Sequence, residues 1–102
     1  MWNKKEIDLG RVPVKKPITV QFDYTGDGIF KNANASCGCT TPKWDIANNS
    51  IVATYTPNPV PKHLKMKGAT EYPSTKYIYV DMIEDGVHKK YTLTFKAKVF
   101  EV

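Results

Sequence analysis

Between its turn signals the chain alternates apolar and polar residues with a period of two, and no window of eleven or more residues sustains the i, i+3, i+4 spacing of a helix. The pattern predicts a protein built from strands. Glu6 to Val12 offers Ile7 and Leu9 and is closed by Pro13. Pro17 to Tyr24 places Ile18, Val20, Phe22 and Tyr24 on one face and Thr19, Gln21 and Asp23 on the other, after which "TGDG" turns the chain. Ile29 to Ser36 reads as a third strand running into a cysteine pair; Pro42 and Lys43 interrupt, and Trp44 and Ile46 are expected to return to the core.

"NNS" at Asn48 to Ser50 marks the next turn, and Ile51 to Thr56 is strand-like through its β-branched residues. "PNPVPK" from Pro57 to Lys62 reads as a loop, since proline cannot donate to a ladder. His63 to Ser74 has no clear period and reads as a surface excursion, with a short strand at Leu64 to Met66. The strongest signal is last: Lys76 to Ile83 and His88 to Phe100 flank "EDG", Glu84 to Gly86, as a hairpin. In its second arm Tyr91, Leu93, Phe95, Ala97 and Val99 alternate with Lys90, Thr92, Thr94, Lys96 and Lys98. In its first arm Tyr77 and Tyr79 must face out if Ile78 and Val80 face in.

About seven short strands with turns between them and no helix predict an all-β chain, an immunoglobulin-like two-sheet β-sandwich, with a small barrel as the alternative. At 102 residues, 41% of them hydrophobic, the chain is long enough for one packed core, and the expectation is a single domain over 1–102. The N-terminal "MWNKKEIDLGRV" lacks the apolar run of a secretory signal, and no stretch has the length of a membrane span. A product outside the membrane and without an export signal is expected.

The net charge of +5 comes almost wholly from lysine, Arg11 being the single arginine. Without the guanidinium fork that reads guanine or clamps phosphate, sequence-specific nucleic-acid binding is disfavoured, and a charged partner is expected to be acidic. Hydrolase and phosphate-loop motifs are absent, and neither His63 nor His88 has a nucleophile beside it, so no enzyme and no cofactor are expected.

The chemistry-bearing stretch is "SCGCTTP", Ser36 to Pro42. Two thiols one residue apart supply half of a zinc site, and nothing in the sequence brings His63 and His88 to complete it, so no metal is expected. A bridge between them would close a small strained ring of oxidising character, and an all-β chain offers no helix N-terminus to activate a thiol. The preferred reading has one cysteine packed inward as a small hydrophobe while Gly38 permits a tight bend of the third strand.

"FDYTGDG…NASCGCTTPKW", Phe22 to Trp44, resembles the bacterial family called domain of unknown function 1573, in which a strand and an N-T-G-D type turn precede "SCGCTTP". The motif residues that carry the likeness are Cys37, Gly38, Cys39, Thr40, Thr41 and Pro42, and "IDLGRV" and the last strand look like the family's ends. The resemblance implies an immunoglobulin-like fold related to the ASPM, SPD-2 and hydin domains, and no enzymatic activity. The chain departs from the family at "NNS", where relatives carry a Pro-Gly-Glu turn, and by its inserted Pro57 to Ser74 excursion. Many relatives carry export signals.

A short, lysine-rich, free-standing immunoglobulin-like domain also fits the accessory proteins that decorate phage capsids. The expected role is therefore structural: a capsid auxiliary or decoration protein of a bacteriophage virion, in multiple copies on a symmetric particle, contacting capsid or other virion proteins, otherwise cytoplasmic. The expected contact residues are Lys62, Lys65, Lys67, Tyr72, Tyr77, Tyr79, Lys96 and Lys98. The alternatives are a thiol-dependent redox or metal-binding protein using Cys37 and Cys39, and a bacterial scaffold or adaptor domain.

Overall fold

The "EDG" hairpin organises the molecule. In a computed structural model that describes residues 2–101, Asp85 and Gly86 adopt φ of 52° and 76°, the left-handed pair of a type I′ turn whose twist matches that of the strands it joins. The arms are β6 (Glu71–Glu84) and β7 (Val87–Phe100), paired without a register shift from Glu71 opposite Phe100 to Glu84 opposite Val87. They are joined by β1 (Glu6–Pro13), β2 (Ile18–Asp23), β3 (Ile29–Ala35), β4 (Thr40–Asp45), β5 (Ser50–Tyr55) and a one-turn helix, α1 (Lys62–Lys65).

The seven strands form two sheets, in the orders β1-β7-β6-β3 and β2-β5-β4. The order β3-β6-β7 facing β2-β5-β4 is the strand arrangement of immunoglobulin-like sandwiches, with β1 running parallel to β7 at one edge. The inward rows are those the alternation marks: Val20, Phe22, Ile51, Ala53, Tyr55, Ile78, Val80, Met82, Leu93, Phe95, Ala97 and Val99 are buried in one cluster. Each large side chain among them contributes roughly 1.5–3 kcal/mol by leaving water.

Five local expectations are corrected. Leu64 lies in α1 rather than in a strand, so the chain is not free of helix. The loop before it is no loose excursion: Val60 is buried, Pro57 is fully buried, and the Pro57 carbonyl accepts from Lys15 N–H at 2.9 Å. β6 begins at Glu71, earlier than expected, because Pro73 lies beyond the end of β3, whose pairing with β6 starts at Ile78.

Pro42 does not interrupt either. It sits in β4, the edge strand of its sheet; the Cys39 carbonyl accepts from Thr56 N–H, so odd-numbered residues of β4 face the ladder and the Pro42 nitrogen faces away from β5. Ile46, expected in the core, is 84% exposed because β4 ends at Asp45, whose carboxylate accepts from Ala47 and Asn48 N–H and turns the chain outward.

Among the described residues no helix is long and apolar enough to cross a membrane.

Candidate functional site

The outer face of the four-stranded sheet is set by the pleat of β6. With Ile78, Val80 and Met82 buried, Tyr77 and Tyr79 point outward and are 40% and 49% exposed. Because β6 lies between β7 and β3, the two rings sit in the middle of the face and not on its rim. Tyr77 is opposite Thr94, and Tyr79 is flanked by Thr92 on β7 and Asn34 on β3.

Beyond Asp81 the same face carries an exposed apolar residue that sequence reasoning missed. Ile29, 61% exposed, is opposite Ile83, which shares the outward parity of Tyr77 and Tyr79. The register of β3 shifts between Phe30 and Asn32, so Lys31 is an extra residue and the strand's parity changes there. Ile29 and Asn34 therefore share a face although the alternation assigns them opposite ones. No sequence signal marks that bulge.

The expected contact lysines fall into two groups. Lys96 and Lys98 are on the tyrosine face, but each has a partner: Lys96 Nζ lies 2.6 Å from Glu6, which raises its pKa, and Lys98 Nζ lies 3.5 Å from Glu71, which also pairs with Arg11 at 3.5 Å. Lys62, Lys65 and Lys67 lie on or just after α1, before the start of β6, and Lys65 pairs with Glu101 at 2.9 Å. Tyr77 is six residues into β6, roughly 20 Å of strand away from that start. The structure does not gather all these lysines into one patch.

Tyr72 does not share the tyrosine face. Its ring packs against the core, burial raises its pKa, and its hydroxyl donates to the Asn58 carbonyl at 2.7 Å. A tyrosine at the start of this strand tying down the preceding connection is the device of the tyrosine corner, here with a longer span. It holds the proline-rich loop over the end of the sandwich.

The cysteine stretch is a corner between sheets, not a bend within β3. β3 ends at Ala35 in one sheet, β4 begins at Thr40 in the other, and Ser36 to Cys39 make the crossing. Ser36 prolongs the ladder, since its N–H donates to the Tyr77 carbonyl at 2.9 Å and its Oγ accepts from Tyr77 N–H at 3.1 Å. The cysteine corner and Tyr77 are thus neighbours.

Cys37 and Cys39 are joined in a disulfide, with their Cα atoms 5.4 Å apart. This overturns the reading of the pair as a small hydrophobe beside a bend: Cys39 does pack against the core, but as one half of a bridge. The sequence points to the wrong state because spacing alone cannot weigh ring closure against burial. Cys39 N–H donates to Cys37 Sγ at 3.2 Å, and Cys39 Sγ lies 3.7 Å from the hydroxyl of the buried Thr40. Among the described residues no group of three or more His, Cys, Asp or Glu side chains is placed to hold a metal ion. His63 is on α1, and His88 is on β7 with Nε2 at 3.7 Å from Asp81.

At the other end of β3 a pocket of about 440 Å³ is lined by Trp2, Lys5, Tyr24, Glu84, Lys89 and Tyr91, among others. The two carboxylate oxygens of Glu84 accept from the hydroxyls of Tyr24 and Tyr91. Those bonds hold the Glu84 pKa below its usual value, whereas burial and then the bond to Glu84 push Tyr24 up to about 12. A carboxylate ionised and a phenol neutral across the neutral range exchange no proton near pH 7. The cluster ties β2, the β6–β7 hairpin and the N-terminal segment together.

Residues 1–99 match the model of a family described as protein of unknown function (DUF1573). No curated protein and no solved structure matches the chain.

Proposed function

The chain belongs to the DUF1573 family, and on that premise we propose that it is a docking module which uses the outer face of its four-stranded sheet to seat on a larger protein assembly. The observation that carries this reading is the placement of Tyr77 and Tyr79, half-exposed at the centre of that face, with Ile29 and Ile83 on the same face beyond Asp81. Tyrosine contributes large contact area at small entropic cost and is enriched at interface centres. The lysine excess favours an acidic partner surface, and the scarcity of arginine favours protein over nucleic acid.

In its finer form the module is an accessory protein of a bacteriophage virion, in many copies on capsid or other virion proteins. Support comes from the Cys37–Cys39 bridge, since disulfides persist on virions and in other oxidising settings and are rare in reducing cytoplasm. The test is sedimentation of the untagged protein from its native source through a density gradient, read by mass spectrometry. Co-migration with a megadalton particle in fixed stoichiometry, lost in Tyr77→Ala/Tyr79→Ala, is the expected result. A species that sediments alone, apart from any large particle, overturns the reading.

A further inference from the structure

We infer that the Cys37–Cys39 bridge is a thiol–disulfide exchange site that oxidises a dithiol, a peptide or protein segment with two cysteines in reach of one another. This inference stands independently of the docking face. The bridge joins residues two apart, so it closes a minimal loop and removes little entropy from the unfolded chain. Nor does the corner depend on it: Ser36 is held by two bonds to the Tyr77 backbone, and the Cys39 carbonyl is held by Thr56 N–H at 2.9 Å. A bridge that fastens no distant segments and lies at a corner already fastened has no evident structural task.

Its surroundings suit exchange. Gly38 is exposed, and a Cβ placed on it would meet no atom within 4 Å beyond its two neighbours, so the backbone tip of the ring is uncrowded. Both cysteines are half-buried, and Cys39 is the one that packs against the core, so attack is assigned to Cys37 Sγ with Cys39 as the leaving group. Each sulfur has a polar neighbour for the charge it acquires: the Thr40 hydroxyl at 3.7 Å from Cys39 Sγ, and Cys39 N–H at 3.2 Å from Cys37 Sγ. Hydrogen bonds to a thiolate stabilise it and improve it as a leaving group. Closure between residues so near in sequence also favours the open dithiol, giving the bridge oxidising character.

One thiolate of the dithiol attacks Cys37 Sγ, the Cys37–Cys39 bond breaks, and Cys39 leaves as a thiolate beside the Thr40 hydroxyl. The second thiolate of the substrate then attacks the substrate sulfur of the mixed disulfide, and Cys37 leaves as a thiolate beside Cys39 N–H. The substrate loses two electrons and two thiol protons and becomes a disulfide; the bridge takes up the electrons, and Cys37 and Cys39 take up protons from solvent.

The experiment uses the full chain with dithiothreitol as the dithiol and glutathione disulfide to restore the bridge, with thiols trapped by alkylation and read by mass spectrometry. Two observations are expected: reduction within minutes by about 10 mM reduced glutathione, and at least a tenfold acceleration of dithiol oxidation over the Cys37→Ser/Cys39→Ser variant. The double variant should keep the wild-type circular dichroism and cooperative melting, which separates loss of exchange from loss of fold. With glutathione disulfide, Cys39→Ser should form a mixed disulfide at Cys37 at least tenfold faster than Cys37→Ser forms one at Cys39. A bridge that survives the glutathione, or a double variant that oxidises dithiol as fast as wild type, overturns the inference. Equal trapping at both cysteines overturns the assigned order of attack.

Discussion

The Tyr55 hydroxyl of β5 donates to Ser74 Oγ of β6 at 3.1 Å, a hydrogen bond between the two sheets with both partners buried. Removing one partner strands the other away from water, at a cost of about 1–3 kcal/mol. Tyr55→Phe and Ser74→Ala should each lower the melting temperature by several degrees. Tyr55→Phe/Ser74→Ala should recover part of the loss, because no polar group is then stranded. Thermal melts of the four proteins close the double-mutant cycle, and strict additivity would mean that the bond does not couple the sheets.

The Glu84 cluster sets two opposite pH dependences. Glu84 is lowered from its usual pKa by the Tyr24 and Tyr91 hydroxyls, so its contribution is fully present above the unfolded-state value and is lost as pH falls through the folded one. Tyr24 is raised to about 12, so its contribution is present below the ordinary tyrosine value and is lost as pH rises from there through the folded one. Ultraviolet titration should show one tyrosine ionising near 12, and Glu84→Gln should bring that step down by removing the carboxylate partner. An unchanged step in Glu84→Gln would assign the shift to burial and to the neighbouring Tyr91.

At the β6–β7 turn Gly86 has φ of 76°, where a Cβ crowds the backbone. Gly86→Ala should cost about 1 kcal/mol, which lowers the melting temperature by roughly 4–8 °C in a domain of this size. Gly28→Ala acts differently, for its new Cβ would collide with the hydroxyl of the buried Tyr24. Gly28→Ala should therefore also shift the late tyrosine step, which Gly86→Ala should leave in place.

Tyr77→Ala and Tyr79→Ala remove half-exposed rings from one sheet face and leave the buried row beneath them intact. Each should cost about 1 kcal/mol or less, the range of cross-strand pairing effects. Denaturant unfolding should show nearly unchanged midpoints. A loss of several kcal/mol would identify the rings as structural and withdraw them from the docking face.

The β7 row from Tyr91 to Val99 and the β2 row of Ile18, Val20 and Phe22 were legible because burial of one face of a pleated strand imposes a period of two. Asp85-Gly86 was legible because few residues tolerate φ > 0 at both turn positions. "SCGCTTP" was legible as a family motif, and the match over residues 1–99 agrees with it. Tertiary structure alone decided the rest. The extra Lys31 moves Ile29 onto the tyrosine face, because the bulge is set by pairing with β6. Pro42 and Pro73 enter strands because each turns its nitrogen to a side where no strand pairs, and that depends on the order of strands in the sheet. Tyr72 turns from the surface to the Asn58 carbonyl because the fold brings the proline-rich loop beneath it. Local periodicity fixes which face of a strand is apolar; pairing between distant segments decides which neighbours that face, and each edge, will meet.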